Sequence, residues 1–213
     1  MEQRIIASAR VTGPLALIAA LAWVYAVWLI APAAEAVQGV AYKIIYLHVP
    51  CWPAAYLAFG LTAVGGMVYL VTRREDWDRL AHASAEVGVL FTTLGLVTGM
   101  LWAKPVWGVW WTWEPRLTTS MILWFIYVAY LFLRALAEGS DRARVFSAVY
   151  GSVAIVSIPF VYYAAIELHP PVPQLPRAMG SVLLGSMLTY LIAYAYLLAE
   201  RLGLSRSEAE QVA

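Results

Sequence analysis

The chain has 213 residues, of which 62% are hydrophobic and 13% charged, with a formal net charge of +1 at pH 7 and a mean hydropathy of +0.72. Soluble domains carry about 25% charged residues and about half apolar ones, so the composition excludes a water-soluble globular domain, and the near-neutral charge leaves no basic patch for nucleic acid. A single cysteine, Cys51, excludes an internal disulfide and any CxxC-based metal, thiol or haem-attachment motif.

A hydrocarbon core of about 30 Å takes roughly 20 apolar residues of helix to cross. Six segments reach that scale: Leu15–Ala33, Val49–Val71, Ala85–Trp102, Ser120–Leu136, Val145–Ile166 and Met179–Leu198. Backbone groups in lipid have to be satisfied within each segment, so the segments read as helices and not as the short alternating strands of a barrel. The expected fold is an all-α integral membrane protein, one six-helix bundle over residues 1–213.

The first segment follows Arg4 and Arg10 and precedes the small-residue runs Ala31-Pro32-Ala33 and Ala34-Glu35-Ala36, which gives it the look of a secretory signal. Its apolar run exceeds the about 7–15 residues of a signal core, so it is expected to stay as a helix. Before the second helix comes Tyr46-Leu47-His48-Val49-Pro50, which puts His48 at the helix mouth, with Cys51 expected either as a small packing residue or as a thiol close enough to perturb a metal held by His48. His82, ahead of the third helix and near Arg79, reads as an ordinary surface residue. The third helix carries Gly95-Leu96-Val97-Thr98-Gly99, a spacing that lets a neighbour approach closely.

The loop expected over residues 103–119 is the most distinctive stretch. Five of the chain's ten tryptophans, Trp102, Trp107, Trp110, Trp111 and Trp113, fall within twelve residues. Pro105 and Gly108 are expected to break helix, and a short surface helix would align Trp107, Trp110 and Trp111. Glu114-Pro115-Arg116 reads either as a cap for the fourth helix or as a pair that holds the loop against its ligand. Pro159 is expected to kink the fifth, and His169 follows that helix in Glu167-Leu168-His169-Pro170-Pro171.

Basic residues set the orientation. With a cytoplasmic N-terminus the inner segments hold ten, namely Arg4, Arg10, Arg73, Arg74, Arg79, Arg134, Arg142, Arg144, Arg201 and Arg206; the outer ones hold four, Lys43, Lys104, Arg116 and Arg177. That bias predicts both termini in the cytoplasm and His48, His169 and the tryptophan loop together on the outer face.

Dense indole on one face can be an interfacial aromatic belt, a docking surface, or the wall of a pocket for a large planar ligand. A belt spreads over many helix ends, whereas half of these tryptophans share one loop. Two histidines flanking an indole platform suit an iron porphyrin, with Lys104 and Arg116 placed to pair with its propionates. Zinc, which wants three or four ligands, fits less well. Tyr42, Tyr46, Tyr162 and Tyr163 lie near the histidines in sequence and could wall such a pocket.

The stretch Trp107-Gly108-Val109-Trp110-Trp111-Thr112-Trp113-Glu114-Pro115-Arg116-Leu117-Thr118 resembles the tryptophan-rich signature of the haem-handling proteins of cytochrome c maturation. Six helices with one histidine before the motif and one after are similar to the CcmC family. The resemblance implies a haem b site at the periplasmic surface of the bacterial inner membrane. Trp107, Gly108, Trp110, Trp111 and Trp113 would form the platform, with His48 and His169 as axial iron ligands, and Glu114 and Arg116 would close the motif. It further implies delivery of haem, transferred and not retained, to the chaperone CcmE, alongside the transporter subunits CcmA and CcmB and the small protein CcmD. Glu114 stands where the motif commonly has Asp. On this reading the chain is a binding and delivery protein, not an enzyme. The competing readings are a membrane transporter subunit, an electron-transfer cytochrome, and a structural assembly subunit without haem.

Overall fold

A computed structural model describes residues 22–27, 29, 39–136, 140–164 and 177–212. A 3-10 turn, Gly39–Ile44, leads into α1 (Ile45–His48), α2 (Cys51–Thr72), α3 (Glu75–Trp107), α4 (Pro115–Leu136), α5 (Asp141–Ala154), α6 (Ser157–Tyr163) and α7 (Arg177–Val212). Among the described residues five helical stretches are long and apolar enough to cross a membrane: Gly39–Thr72, Glu75–Trp107, Pro115–Leu136, Asp141–Tyr163 and Met179–Gly203. The expected first helix, Leu15–Ala33, lies mostly outside the described residues; residues 22–27 and 29 within it are helical.

The helices outrun their apolar segments; α3, for one, starts at Glu75 and not near Ala85. Its first turn is polar, but Glu75, Asp76 and Asp78 are acidic, and carboxylates at a helix N-terminus are favoured by the exposed N–H groups there. At the other end α3 runs through Pro105, so that proline does not break the helix as expected. It sits in the final turn, where little ladder remains to be lost. Gly108 does end the helix: its φ of 77° is left-handed, and its N–H bonds the Lys104 carbonyl at 3.0 Å. At Pro159 the ladder is interrupted locally within the Asp141–Tyr163 stretch, while Ile155 and Val156 keep right-handed helical backbone. A proline there cannot donate to the Ile155 carbonyl, and the helix resets between α5 and α6, where the Ile158 N–H takes that carbonyl at 3.0 Å.

Small residues bring α2 and α3 together. Ala54, Ala55, Ala58 and Ala85 are fully buried, and a Cβ on Gly88 would stand 2.5 Å from the Phe59 ring. A side chain on Gly65 would meet the Trp77 carbonyl at 3.0 Å. Phe59 in turn stacks on Tyr127 of α4, centroids 3.5 Å apart and 11° from parallel. On the far side of α2, Gly66 abuts the Ala148 carbonyl of α5, where a Cβ would come within 2.9 Å.

One end of this bundle is tied by charge. Asp78, 5% exposed, accepts two N–H bonds from Arg134 of α4 at 2.7 and 2.8 Å. Glu75 takes Arg144 of α5 at 2.5 Å, and Glu86 takes Arg201 of α7 at 2.5 and 3.0 Å. The start of α3 is therefore bound to three other helices. His82 belongs to this cluster, its Nε2 3.7 Å from Glu86 and its side chain 31% exposed, so it is not the plain surface residue expected.

Removing one partner of a buried pair leaves an uncompensated charge, which costs about 3–5 kcal/mol. Asp78→Ala should lower the thermal unfolding midpoint in detergent sharply. Arg74→Ala, from a pair exposed on both sides, should leave it nearly unchanged.

Candidate functional site

At the opposite end of α3, the tryptophan end, the Gly95/Gly99 spacing provides seats for two rings from the preceding helix. A Cβ on Gly99 would stand 3.0 Å from Cε1 of His48, and one on Gly95 would stand 3.2 Å from the indole of Trp52. His48 closes α1, and Trp52 lies one turn on in α2, so both rings point to the same face. His48 Nδ1 is 2.9 Å from the Gly95 carbonyl and 3.2 Å from the Thr98 hydroxyl. A carbonyl only accepts, so Nδ1 carries the proton and Nε2 keeps the lone pair; the tautomer is assigned by this bonding. That Nε2 accepts the Trp52 indole N–H at 3.3 Å. Cys51 packs as expected: it is 1% exposed, and its thiol donates to the Leu47 carbonyl at 3.1 Å.

His48 and Trp52 open onto a narrow crevice of about 40 Å³ walled by Trp102, Trp107, Trp111 and Arg116. This is well below the about 300–1,000 Å³ usual for small-molecule sites, so the indole walls would have to part to admit a large planar ligand. Trp102 and Trp107 meet edge to face at 4.9 Å, and Trp111 meets Trp113 in the same way at 5.9 Å. Among the described residues no group of three or more His, Cys, Asp or Glu could hold a bare metal ion. One oriented imidazole among indole faces suits an iron carried in a planar ring better than a naked cation.

The loop expected over 103–119 narrows to Gly108–Glu114, because α3 persists to Trp107 and α4 starts at Pro115. The short surface helix does not form. Gly108 turns left-handed, and Pro115 disfavours helical backbone at Glu114 before it. Trp107, Trp111 and Arg116 are nonetheless brought together with His48. Trp110 and Trp113 do not line the crevice and are 54% and 74% exposed. Lys104 lies 5.9 Å from the Trp110 ring, and its ammonium donates to the Gly108 carbonyl at 2.9 Å, closing the end of α3. Trp113 and the other side of Trp111 line a second, wholly apolar groove between α3 and α4, with Leu96, Met100 and Trp124.

Glu114 caps α4 as expected: Oε1 accepts the Leu117 N–H at 3.0 Å, and its carbonyl accepts the Thr118 N–H at 3.0 Å. Its Oε2, Trp111 Nε1, Thr112 Oγ1 and Thr118 Oγ1 are buried with no hydrogen-bond partner among the described residues. Buried polar atoms are ordinarily satisfied, so this segment offers donors and acceptors to a ligand or to water.

Tyr42 and Tyr46 do not wall the crevice. They are buried with Val27 and Met179, where they pack the turn before α2 against α7. Tyr162 and Tyr163 are exposed at the end of α6, and His169 lies outside the described residues. Trp52 was not singled out from sequence, although its position four residues after His48 was a usable signal.

The family model described as Heme exporter protein C matches residues 2–210 of this chain. The chain is 35% identical over 128 residues to Heme exporter protein C of Rhodobacter capsulatus, a match covering 60% of this chain and 53% of that one. It is 34% identical over 127 residues to Heme exporter protein C of Escherichia coli strain K12, covering 60% and 52%. A cytochrome c biosynthesis ccmC-like mitochondrial protein of Marchantia polymorpha is 34% identical over 137 residues, covering 63% and 58%. In these matches the chain spans about half the length of its curated relatives.

Loss of the Glu114 cap should cost about 1 kcal/mol. Glu114→Ala is expected to lower the unfolding midpoint in detergent modestly, whereas Glu114→Asp, itself a good cap residue, should hold it at the parent value.

Proposed function

This chain belongs to the Heme exporter protein C family, and we propose that it binds haem at its tryptophan end and passes it on. The observation that carries the reading is His48, its Nδ1 proton committed to Gly95 and its Nε2 facing a crevice walled by indole. His48 Nε2 is then one axial ligand of the iron and His169 the other. Trp107 and Trp111 cover the macrocycle, and Arg116 meets a propionate with a charge-assisted hydrogen bond. Gly108 and Glu114 set the path of the loop. Trp110 and Trp113 form an exposed apolar lip against which the next carrier meets the ring edge.

The site faces the periplasm of a bacterial inner membrane, with both termini in the cytoplasm. Arg134, Arg144 and Arg201, all assigned to the inner side by the excess of basic residues, gather at the charged end of the bundle, away from the crevice, which supports that orientation. Haem b is cargo, handed to the chaperone CcmE with CcmA, CcmB and CcmD as partners. The protein makes and breaks no covalent bond in the cargo.

The test is the visible absorption of detergent-purified protein titrated with hemin. The parent should develop a Soret band typical of imidazole ligation. His48→Ala and His169→Ala should each shift that band and weaken binding by about tenfold or more, the scale on which even outer partners of metal ligands act. A parent that fails to take up hemin, or alanine variants with the parent's spectrum and affinity, would overturn the proposal.

A further inference from the structure

We infer that Trp52 competes with iron for His48 and thereby sets how readily the site releases its haem. The inference rests on the haem reading above and adds a role for a residue outside the tryptophan loop. A neutral imidazole has one proton and one lone pair. The proton of His48 is held on Nδ1 by the Gly95 carbonyl at 2.9 Å, so Nε2 is the only atom that can ligate iron. That lone pair already receives the indole N–H of Trp52 at 3.3 Å. Indole nitrogen donates and cannot accept, so the contact has one polarity only.

The arrangement is built into the helix pair. Trp52 is one turn beyond His48, and the two rings meet edge-on at 5.9 Å and 75°. The Trp52 ring is backed by Gly95, where a Cβ would come within 3.2 Å, and by the tilted ring of Tyr56 at 6.1 Å. Trp52 also lines the crevice itself, so it lies where incoming iron would have to approach.

One lone pair cannot serve both partners. When Nε2 takes the iron, the Fe–N bond forms and the N–H···N hydrogen bond breaks. No proton moves, since Nδ1–H stays on Gly95 and the indole N–H stays on Trp52. When the iron leaves, the indole N–H is at hand to take the lone pair back, so the emptied site does not hold an unsatisfied imidazole nitrogen. Ligation therefore always displaces a bond, and affinity falls by about fivefold, the worth of one net hydrogen bond. A protein that hands its cargo on gains from that weakening.

Trp52→Phe keeps an aromatic ring but removes the N–H. With hemin bound, this variant should keep the parent's Soret position, hold hemin about fivefold more tightly, and lose it more slowly to apomyoglobin. Without hemin, the nitrogen-15 resonance of His48 Nε2 should move toward that of an unbonded imidazole nitrogen. Benzothienylalanine at position 52 keeps the bicyclic shape, replaces only the N–H by sulfur, and should behave alike even if the smaller ring disturbs folding. Hemin loss equal to or faster than the parent's in both variants would overturn the inference, since Trp52 would then be neutral or a support for the macrocycle. A parent that binds no hemin defeats the haem reading instead. The nitrogen-15 comparison still judges the Trp52–His48 bond in that case: an unchanged Nε2 resonance refutes it.

Discussion

Where α2 and α3 meet, the side chains shrink to alanine and glycine, and the arrangement of the tryptophan end depends on how closely the two backbones then approach. Gly88 admits Phe59, which carries the stack onto Tyr127 and so positions α4. Two turns further on, Gly95 and Gly99 admit Trp52 and His48. Larger residues at those two positions would drive the rings outward, break the bond from His48 Nδ1 to the Gly95 carbonyl, and leave the imidazole without a defined tautomer. The same spacing that allows helix packing thus orients His48, which among the described residues is the histidine that lines the crevice.

The two ends of α3 serve opposite purposes. Its start is fixed by ion pairs to α4, α5 and α7, with the buried Asp78 holding the half-buried Arg134 at the centre. Its last two turns carry Trp102 and Trp107 and stop at a glycine, so helix forms the wall of the crevice on the α3 side. Across from them, Gly108–Glu114 is irregular and holds several buried polar atoms without protein partners among the described residues. Helical wall and seated imidazole thus stand on one side, with unspent polar groups on the other.

Much of this was legible in the residues. Membrane class, the main apolar segments, the stop at Gly108, the cap at Glu114 and the packing role of Gly95 and Gly99 follow from local chemistry, which acts over a turn or less. Helix ends were less legible, because hydropathy misses polar turns such as Glu75–Asp78 that are held by charge from distant helices. Pro105 misled for a related reason: a proline in a last turn has almost no ladder to interrupt. The spacing of Trp52 from His48 hinted only at a shared face, and the roles of His82 and Tyr46 could not be read at all. Each depends on which helix lies opposite, and a single chain without its partners in space does not say.

The most direct measurement is hemin binding by Gly99→Val beside Gly60→Val, with helicity followed by circular dichroism. A Cβ on Gly60 would meet nothing within 4 Å, so that variant should bind as the parent does. Gly99→Val should keep its helicity yet lose the imidazole-type Soret band and bind hemin at least about tenfold more weakly, because His48 is pushed from its seat. A helical Gly99→Val protein with the parent's band and affinity would contradict the account, since the ligand would then lie elsewhere.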